Sequence, residues 1–318
     1  MVDPRAILRP AYRSRGFVPE QRSFFALGGR RNSPEDAAMS TILVPFHDEE
    51  LSEAALRMAH LLAKRESSYI EGLFVMRPPQ IFASEGIAIP GGYITELAEE
   101  EKAVSERARQ RFEAECEALD VRLEAQGSGT RVSAGWREAE GLEPLIVGEH
   151  GRLFDLVVIG RTQQHVAADW SATCEAALFD CGRPVIVAPA EVPSQLGRNV
   201  VIAWNCSTET ARTVSHGARI LRNAEQVTVL TVEGGTVPGP SGEELAANLR
   251  RNGVCATAKT AVMDSRTVGE AILAETEALG ADMLFKGAYT HTRLRQMIFG
   301  GATRHILSHA KLPVLMSH

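Results

Sequence analysis

The chain alternates short, continuously apolar runs with amphipathic stretches of helical period, and it does so twice. Residues 41–46 form such a run, followed by a polar turn, a helical pattern over 51–63 and a second run at 69–76. Residues 199–204 begin the same series again, with a helical pattern from about 209 to 221 and a run at 226–232. The later parts also match. Asp155-Leu-Val-Val-Ile-Gly160 parallels Asp282-Met-Leu-Phe-Lys-Gly287, and each leads through a loop to a helix carrying Ala-Thr, Ala172-Thr173 and Ala302-Thr303. Each half then closes on Pro-Val and a last strand, 184–188 and 313–316. Short apolar runs with no polar alternation are strands buried on both faces. Alternating with helices, they predict an α/β fold of βαβ units, a parallel sheet with helices on both faces, in two tandem domains.

Other segments punctuate this plan. Residues 77–92, rich in Pro, Gly and Ile, read as a long surface loop inserted in the first half. A strongly charged helix is predicted from 94 to about 125, with Glu–Arg spacings suited to pairing on a solvated face. The linker between domains is 191–197. In residues 1–38 the arginines at 5, 9, 13, 15, 22, 30 and 31 are interspersed with Pro, Gly and Ser and follow no apolar period. Asp3, Glu20, Glu35 and Asp36 argue against an organelle transit signal, so a disordered tail is expected, or translation from an upstream start. Met39 stands just before the first strand, and the folded protein is expected to begin there. The domains predicted are 39–192 and 198–318.

Composition narrows the function classes. The 318 residues suit two domains, and 44% hydrophobic with 23% charged residues is an ordinary globular balance. A formal net charge of −6 leaves no basic excess to neutralise nucleic-acid phosphates or an anionic membrane, so neither partner is expected. No run approaches the roughly 18–20 apolar residues of a membrane span, and the N-terminus lacks a signal-peptide core. The five cysteines, Cys116, Cys174, Cys181, Cys206 and Cys255, form no CxxC pair and no zinc-ligand spacing. Scattered thiols of this kind fit structural roles in a reducing cytoplasm.

Candidate chemistry gathers late in the chain, in the stretch Gly287-Ala-Tyr-Thr-His-Thr-Arg-Leu-Arg-Gln-Met-Ile-Phe-Gly300-Gly301-Ala302-Thr303-Arg304-His305. A glycine closing a parallel strand lets backbone approach a ligand. Ligands of open α/β sheets bind outside the carboxyl ends of the strands, where strand order reverses. A Gly-Gly pair opening a helix offers free N–H groups to a phosphate. The stretch resembles the nucleotide loop of the universal stress protein family: a glycine, two residues, a glycine, nine residues, then glycine and Ser/Thr. The resemblance covers residues 40–317 in two tandem copies. It departs at Thr290, which stands for the second glycine, and at Gly301, which stands for the Ser/Thr, while Thr303 keeps a hydroxyl two residues on. After the first strand of the second copy, Trp204-Asn205-Cys206-Ser207 stands where the family has Asp-Gly-Ser.

This resemblance implies a five-stranded parallel sheet in each copy, of the adenine nucleotide alpha hydrolase-like type. It also implies an internal pseudo-dimer through the last strands, with a further homodimer left open. It implies ATP or AMP in the second domain, accompanied by no metal beyond magnesium carried with the nucleotide. Asn205 and the backbone near Val232 and Gly287 would hold base and ribose; Gly300, Gly301, Ala302 and Thr303 would cradle the phosphates. The first copy has a shorter loop over 161–171 without further glycine, and His47-Asp48 replaces Asp-Gly. It is expected to bind no nucleotide and to serve as a structural partner.

Lys286, Arg293, Arg295 and Arg304 make the second loop locally basic, which suits either phosphate or a solvated loop. His291, His305 and His309 cluster there, but HExxH is absent and no third metal ligand is evident, so no metal site is expected. Cys206 has no base or cation neighbour in sequence to activate it. No GxSxG elbow, P-loop or HxGH occurs, so no catalytic residue is assigned and at most weak ATP hydrolysis is expected. Two functions remain: a stress-response module regulated by adenine nucleotide, and a nucleotide-free scaffold that uses the same fold to hold an unknown protein partner.

Residues 1–38 carry no apolar face with which to offset ordering entropy. Deleting them is expected to leave the melting temperature nearly unchanged in differential scanning calorimetry; a large drop would show that the segment docks on the folded body.

Overall fold

The computed structural model describes residues 41–78, 91–124, 131–161, 168–288 and 301–318, all within one compact unit. The expectations for residues 1–38 and for most of the 77–92 insertion lie outside the described residues. In the first half the elements are β1 (Thr41–Pro45), α1 (Glu50–Ala63), β2 (Tyr69–Met76), α2 (Gly91–Ala118), β3 (Arg122–Leu123), β4 (Ser133–Glu140), α3 (Glu143–His150), β5 (Leu156–Gly160), α4 (Ala168–Phe179) and β6 (Val185–Ala188). The second half contains β7 (Asn199–Ala203), α5 (Thr208–His216), α6 (Ala218–Asn223), β8 (Gln226–Val232), α7 (Gly242–Arg251), β9 (Ala256–Ala261), α8 (Val268–Ala278), β10 (Met283–Gly287), α9 (Gly301–His309) and β11 (Val314–Ser317).

Each half supplies five parallel strands in the same order. They run β4-β2-β1-β5-β6 in the first half and β9-β8-β7-β10-β11 in the second, with the two-residue β3 added outside β4. The halves do not keep separate sheets. β6 pairs antiparallel with β11, Val185 opposite Met316 and Val187 opposite Val314, and the result is one sheet of eleven strands. The sequence led only to an approach of these last strands; pairing follows because two short, wholly buried strands would otherwise leave apolar edges with unmet backbone groups. The antiparallel join also turns the carboxyl edges of the two halves toward opposite rims of the sheet.

Alternation along the strands feeds two cores, one on each face. Ile42, Val44, Leu156, Val158, Ile186, Val200, Ile202, Phe285 and Leu315 face one core, with Met58, Phe112 and Leu249 of α1, α2 and α7. Leu43, Val157, Val185, Val187, Val201, Leu284, Val314 and Met316 face the other, with Leu178 of α4, Ile272 of α8 and Leu307 of α9. Both cores run through the seam without interruption. The repeated aspartates of the sequence are clamps at the start of each first strand. Asp155 accepts from the N–H and hydroxyl of Thr41, and Asp282 from the N–H groups of Gly197, Arg198 and Asn199.

Two helices differ from expectation. α2 stops at Ala118 rather than near 125. Asp120 takes φ 55, its N–H bonds the Glu117 carbonyl (3.1 Å), and the Val121 N–H bonds the Cys116 carbonyl (2.8 Å), which is a Schellman stop with aspartate in the glycine position. The helix expected over 209–221 breaks into α5 and α6 at Gly217. A Cβ there would collide with the Phe285 ring and come within 2.8 Å of Leu315 Cδ2, so close packing on β10 and β11 demands glycine, which after proline least favours helix. Gly217→Ala is expected to overpack this contact beside the seam and to destabilise the protein by about 1–3 kcal/mol in urea unfolding; an unchanged midpoint would show that Phe285 can yield.

Candidate functional site

Strand order reverses at β7, with β8 on one side and β10 on the other, which opens a crevice outside the carboxyl ends of the second half. Of the residues expected there, Asn205, Val232, Gly287, Gly301, Ala302 and Thr303 are described; Gly300 and Thr290, with His291, Arg293 and Arg295, lie outside the described residues.

Asn205 sits in the turn from β7 into α5. Its Oδ1 accepts from the Ser207 N–H (3.3 Å) and the Thr210 hydroxyl (2.6 Å), and its carbonyl from the Val237 N–H (3.0 Å). Both oxygens therefore close local structure. The loop after β8 lies over this turn, with Trp204 Nε1 donating to the Pro240 carbonyl (2.8 Å) and Gly239 packed on Cys206. Cys206 has φ 66, a conformation glycine adopts without strain, so the cysteine is held there by its surroundings. Val232 is buried at the end of β8, and its carbonyl accepts from the Gly235 N–H (3.1 Å).

Gly287 is glycine for a different reason from the one expected. A Cβ on it would collide with the Thr210 backbone nitrogen and lie 2.6 Å from the Thr210 hydroxyl, so it admits the start of α5 rather than a ligand. Gly160 does the same in the first half, where a Cβ would collide with the Leu51 carbonyl of α1. Gly301 opens α9 exposed, with nothing among the described residues within 4 Å of where a Cβ would stand. Ala302 packs against α8, where a Cβ on Gly269 would lie 3.1 Å from its carbonyl oxygen. Thr303 is buried, and its hydroxyl accepts from Lys286 Nζ at 2.9 Å. Asn205, Thr210, Gly287, Lys286 and Thr303 thus form one chain of contacts; Val232 joins it only through the loop it anchors.

Lys286 is the residue the sequence undervalued. Its side chain is not solvated: the residue is 7% exposed, and its ammonium donates to the Gly287 carbonyl (2.8 Å) and the Thr303 hydroxyl (2.9 Å) in the first turn of α9. Matching 155–160 to 282–287 puts Lys286 where the first half has Ile159, a core residue. That mismatch was the signal available in the sequence. Both acceptors are neutral, and burial alone pushes the Lys286 pKa down to about 8. The Thr303 contact places the ammonium by the first turn of α9, the positive end of that helix, which adds to this penalty. A buried cation at a helix N-terminus is an arrangement that an anion would relieve.

The corresponding position of the first half encloses a carboxylate instead. His47, the counterpart of Asn205, contacts Glu143 Oε1 through Nε2 (3.1 Å), and the hydroxyl of Thr173, the counterpart of Thr303, donates to the same oxygen (2.9 Å). Burial opposes the His47 charge, but the Glu143 hydrogen bond and negative charge outweigh it and hold the His47 pKa above its usual value. Trp170 Nε1 occupies the Gly160 carbonyl (2.7 Å). A buried carboxylate here disfavours phosphate.

His305 and His309 stack ring on ring at 4.2 Å on α9, and no group of three or more metal-ligating side chains occurs among the described residues. A shallow hollow beside α2 and β3 lies away from this crevice and is lined by Glu113, Glu117 and Asp120 together with Arg122 and Arg131. No helix among the described residues is long and apolar enough to cross a membrane.

Residues 197–318 match the model of the universal stress protein family. No curated protein sequence matches the chain. Among solved structures, a universal stress protein from Archaeoglobus fulgidus is similar at 18% identity and a TM-score of 0.63, over 87% of this chain and 97% of that one. A functionally unknown protein from Pseudomonas aeruginosa is similar at 17% identity and a TM-score of 0.49, over 87% of this chain and 92% of that one. The first of these likenesses extends the shared fold over both halves.

Replacing Lys286 by the isoleucine of the matching strand removes the buried charge. Lys286→Ile is expected to raise the melting temperature at pH 7, by up to about 3 kcal/mol of stability on the conversion of its displaced pKa. The sign fixes the pH window. Between about pH 8 and the ordinary lysine value of 10.5 the unfolded chain binds the proton and the folded one does not, so wild-type stability gains on the variant as pH rises through that range. Parallel pH-dependence in both proteins would show that Lys286 does not titrate there.

Proposed function

We propose that the chain, whose residues 197–318 match the universal stress protein family, is a stress-response regulatory module whose second domain binds an adenine nucleotide, ATP or AMP, by its phosphates. The first domain, 39–192, is on this reading a degenerate member of the same kind that binds none. The observation that carries the proposal is Lys286: an uncompensated ammonium under the first turn of α9, in a strand position the other half fills with isoleucine. Phosphate oxygens at the start of α9 would meet its free N–H groups and the lysine charge together. The exposed Gly301 leaves that end of the helix open. Thr303 acts through Lys286 by fixing its ammonium, in place of the direct hydroxyl contact the sequence implied.

Magnesium, where present, would travel with the nucleotide, and nothing in this reading gives the chain more than weak hydrolysis of ATP. It fits a cytoplasmic protein that passes nucleotide state to a protein partner. A second reading, a nucleotide-free scaffold, is favoured by one observation: both oxygens of Asn205 and the face of Trp204–Cys206 are already engaged by the chain's own turn and loop.

Titration calorimetry with ATP, AMP and inorganic phosphate separates them. Nucleotide binding should weaken at least about tenfold in Lys286→Ile, the loss of one charge-assisted contact. It should also weaken in the wild type as pH rises through about 8, where the ammonium loses its proton. Gly300→Val should block the phosphate cradle. Gly160→Val is no control, because its side chain would collide with Leu51; Thr173→Val serves instead. No heat and no thermal shift at millimolar ATP or AMP would leave the scaffold reading standing.

A further inference from the structure

The two halves are joined by more than the seam. Arg161, the first residue after β5, is buried, and its guanidinium crosses to the far end of α9 in the second half. Nη1 donates to the carbonyls of Ile306 (3.1 Å) and Ala310, and Nη2 to that of Leu312 (3.5 Å). Those oxygens belong to the last turn of α9, the turn after it and the entry to β11. Among the described residues no carboxylate pairs with Arg161, and Nε has no partner. Its positive charge is met by the negative end of α9, where the Ile306 carbonyl takes the guanidinium beside the Ala310 N–H and the Ala310 carbonyl takes it past the helix end. Its own peptide is fixed on both sides: the Gly160 carbonyl by Trp170 Nε1 (2.7 Å) and the Arg161 N–H by the Ala188 carbonyl (2.9 Å). The reverse contact does not exist, since the matching residue of the second half is Ala288.

We infer that Arg161 is a positioning residue for the anion site: the first half sets where the phosphate-facing end of α9 stands by holding its other end. α9 has nine residues and is about 13 Å long, short enough to move as a rigid rod. The antiparallel seam puts the carboxyl rim of the first half beside the C-terminal end of this helix, so the strut needs no long reach. The inference rests on the reading of the α9 N-terminus as an anion site, and its test keeps the two apart.

Three full-length variants are compared with the wild type: Arg161→Met, Arg161→Lys, and Phe112→Leu, which loosens the first half on its other face without touching α9. Amide hydrogen exchange over 303–309 and the ATP dissociation constant are measured well below the melting transition. Arg161→Met should speed exchange through the whole of α9, including Thr303, and weaken ATP binding about tenfold; Arg161→Lys should restore part of both. Phe112→Leu should change neither. Faster exchange confined to 306–309 with unaltered affinity would reduce Arg161 to a local cap and overturn the inference, as would equal effects from Phe112→Leu. If the wild type binds no nucleotide, the functional reading fails, and exchange at Thr303 alone decides whether the strut acts along the helix. If Arg161→Met does not fold, the Arg161→Lys exchange pattern decides by the same criterion.

Discussion

Everything in this molecule hangs on the antiparallel pairing of β6 with β11. Three residue pairs, Val185–Met316, Ile186–Leu315 and Val187–Val314, turn two parallel sheets into one. Both strands are short and wholly buried, apolar except for Ser317, so neither could stand as a sheet edge in water. Their union passes both cores from one half to the other and fixes the relative direction of the halves. It explains why the carboxyl rims face opposite ways and why the start of the first half's loop lies beside the end of the second half's last helix. Side-chain contacts reinforce the join: Arg219 pairs with Glu66 at 2.6 Å, and Phe179 packs on His318.

Against this shared frame the two rims have diverged in charge. Equivalent positions hold His47 and Asn205, Thr173 and Thr303, Ile159 and Lys286. In the first half the threonine hydroxyl serves a buried carboxylate, and in the second it serves a buried ammonium. The same geometry thus encloses a carboxylate in one place and an ammonium in the other. Strand-ending glycines do not decide between these, because both exist to admit the first helix of their half.

The strands of the frame were legible where the sequence is a pure apolar run, as in 155–160 and 282–287, because burial on both faces leaves no alternation to confuse. β4 and β9 were not delimited, since Ser-Ala-Gly-Trp-Arg-Glu-Ala-Glu and Ala-Thr-Ala-Lys-Thr-Ala are half polar and lie toward the sheet's outer edges. The breaks at Gly217 and Asp120 depend on what packs against them or on a left-handed turn, and neither is a periodic signal. Of the site, the start of α9 and Thr303 were legible through spacing. The burial of Lys286 was legible only by comparing the halves, since a lysine beside a glycine looks the same whether solvated or enclosed until Ile159 is set against it. Arg161 was beyond reach altogether: its partners lie about 150 residues away, and only the topology brings them together.

Carrying both halves on one polypeptide has a consequence for the two enclosed cations. A pair assembled from identical chains would duplicate every residue, so it would enclose two copies of Lys286 and two of Arg161, with double the dehydration and mirrored rims of like sign. Here each occurs once. A substitution can enter one rim without being copied into its mate, and one rim can keep Glu143 while the other acquires an ammonium. The molecule is therefore asymmetric about its seam in a way that no pair of identical chains can be.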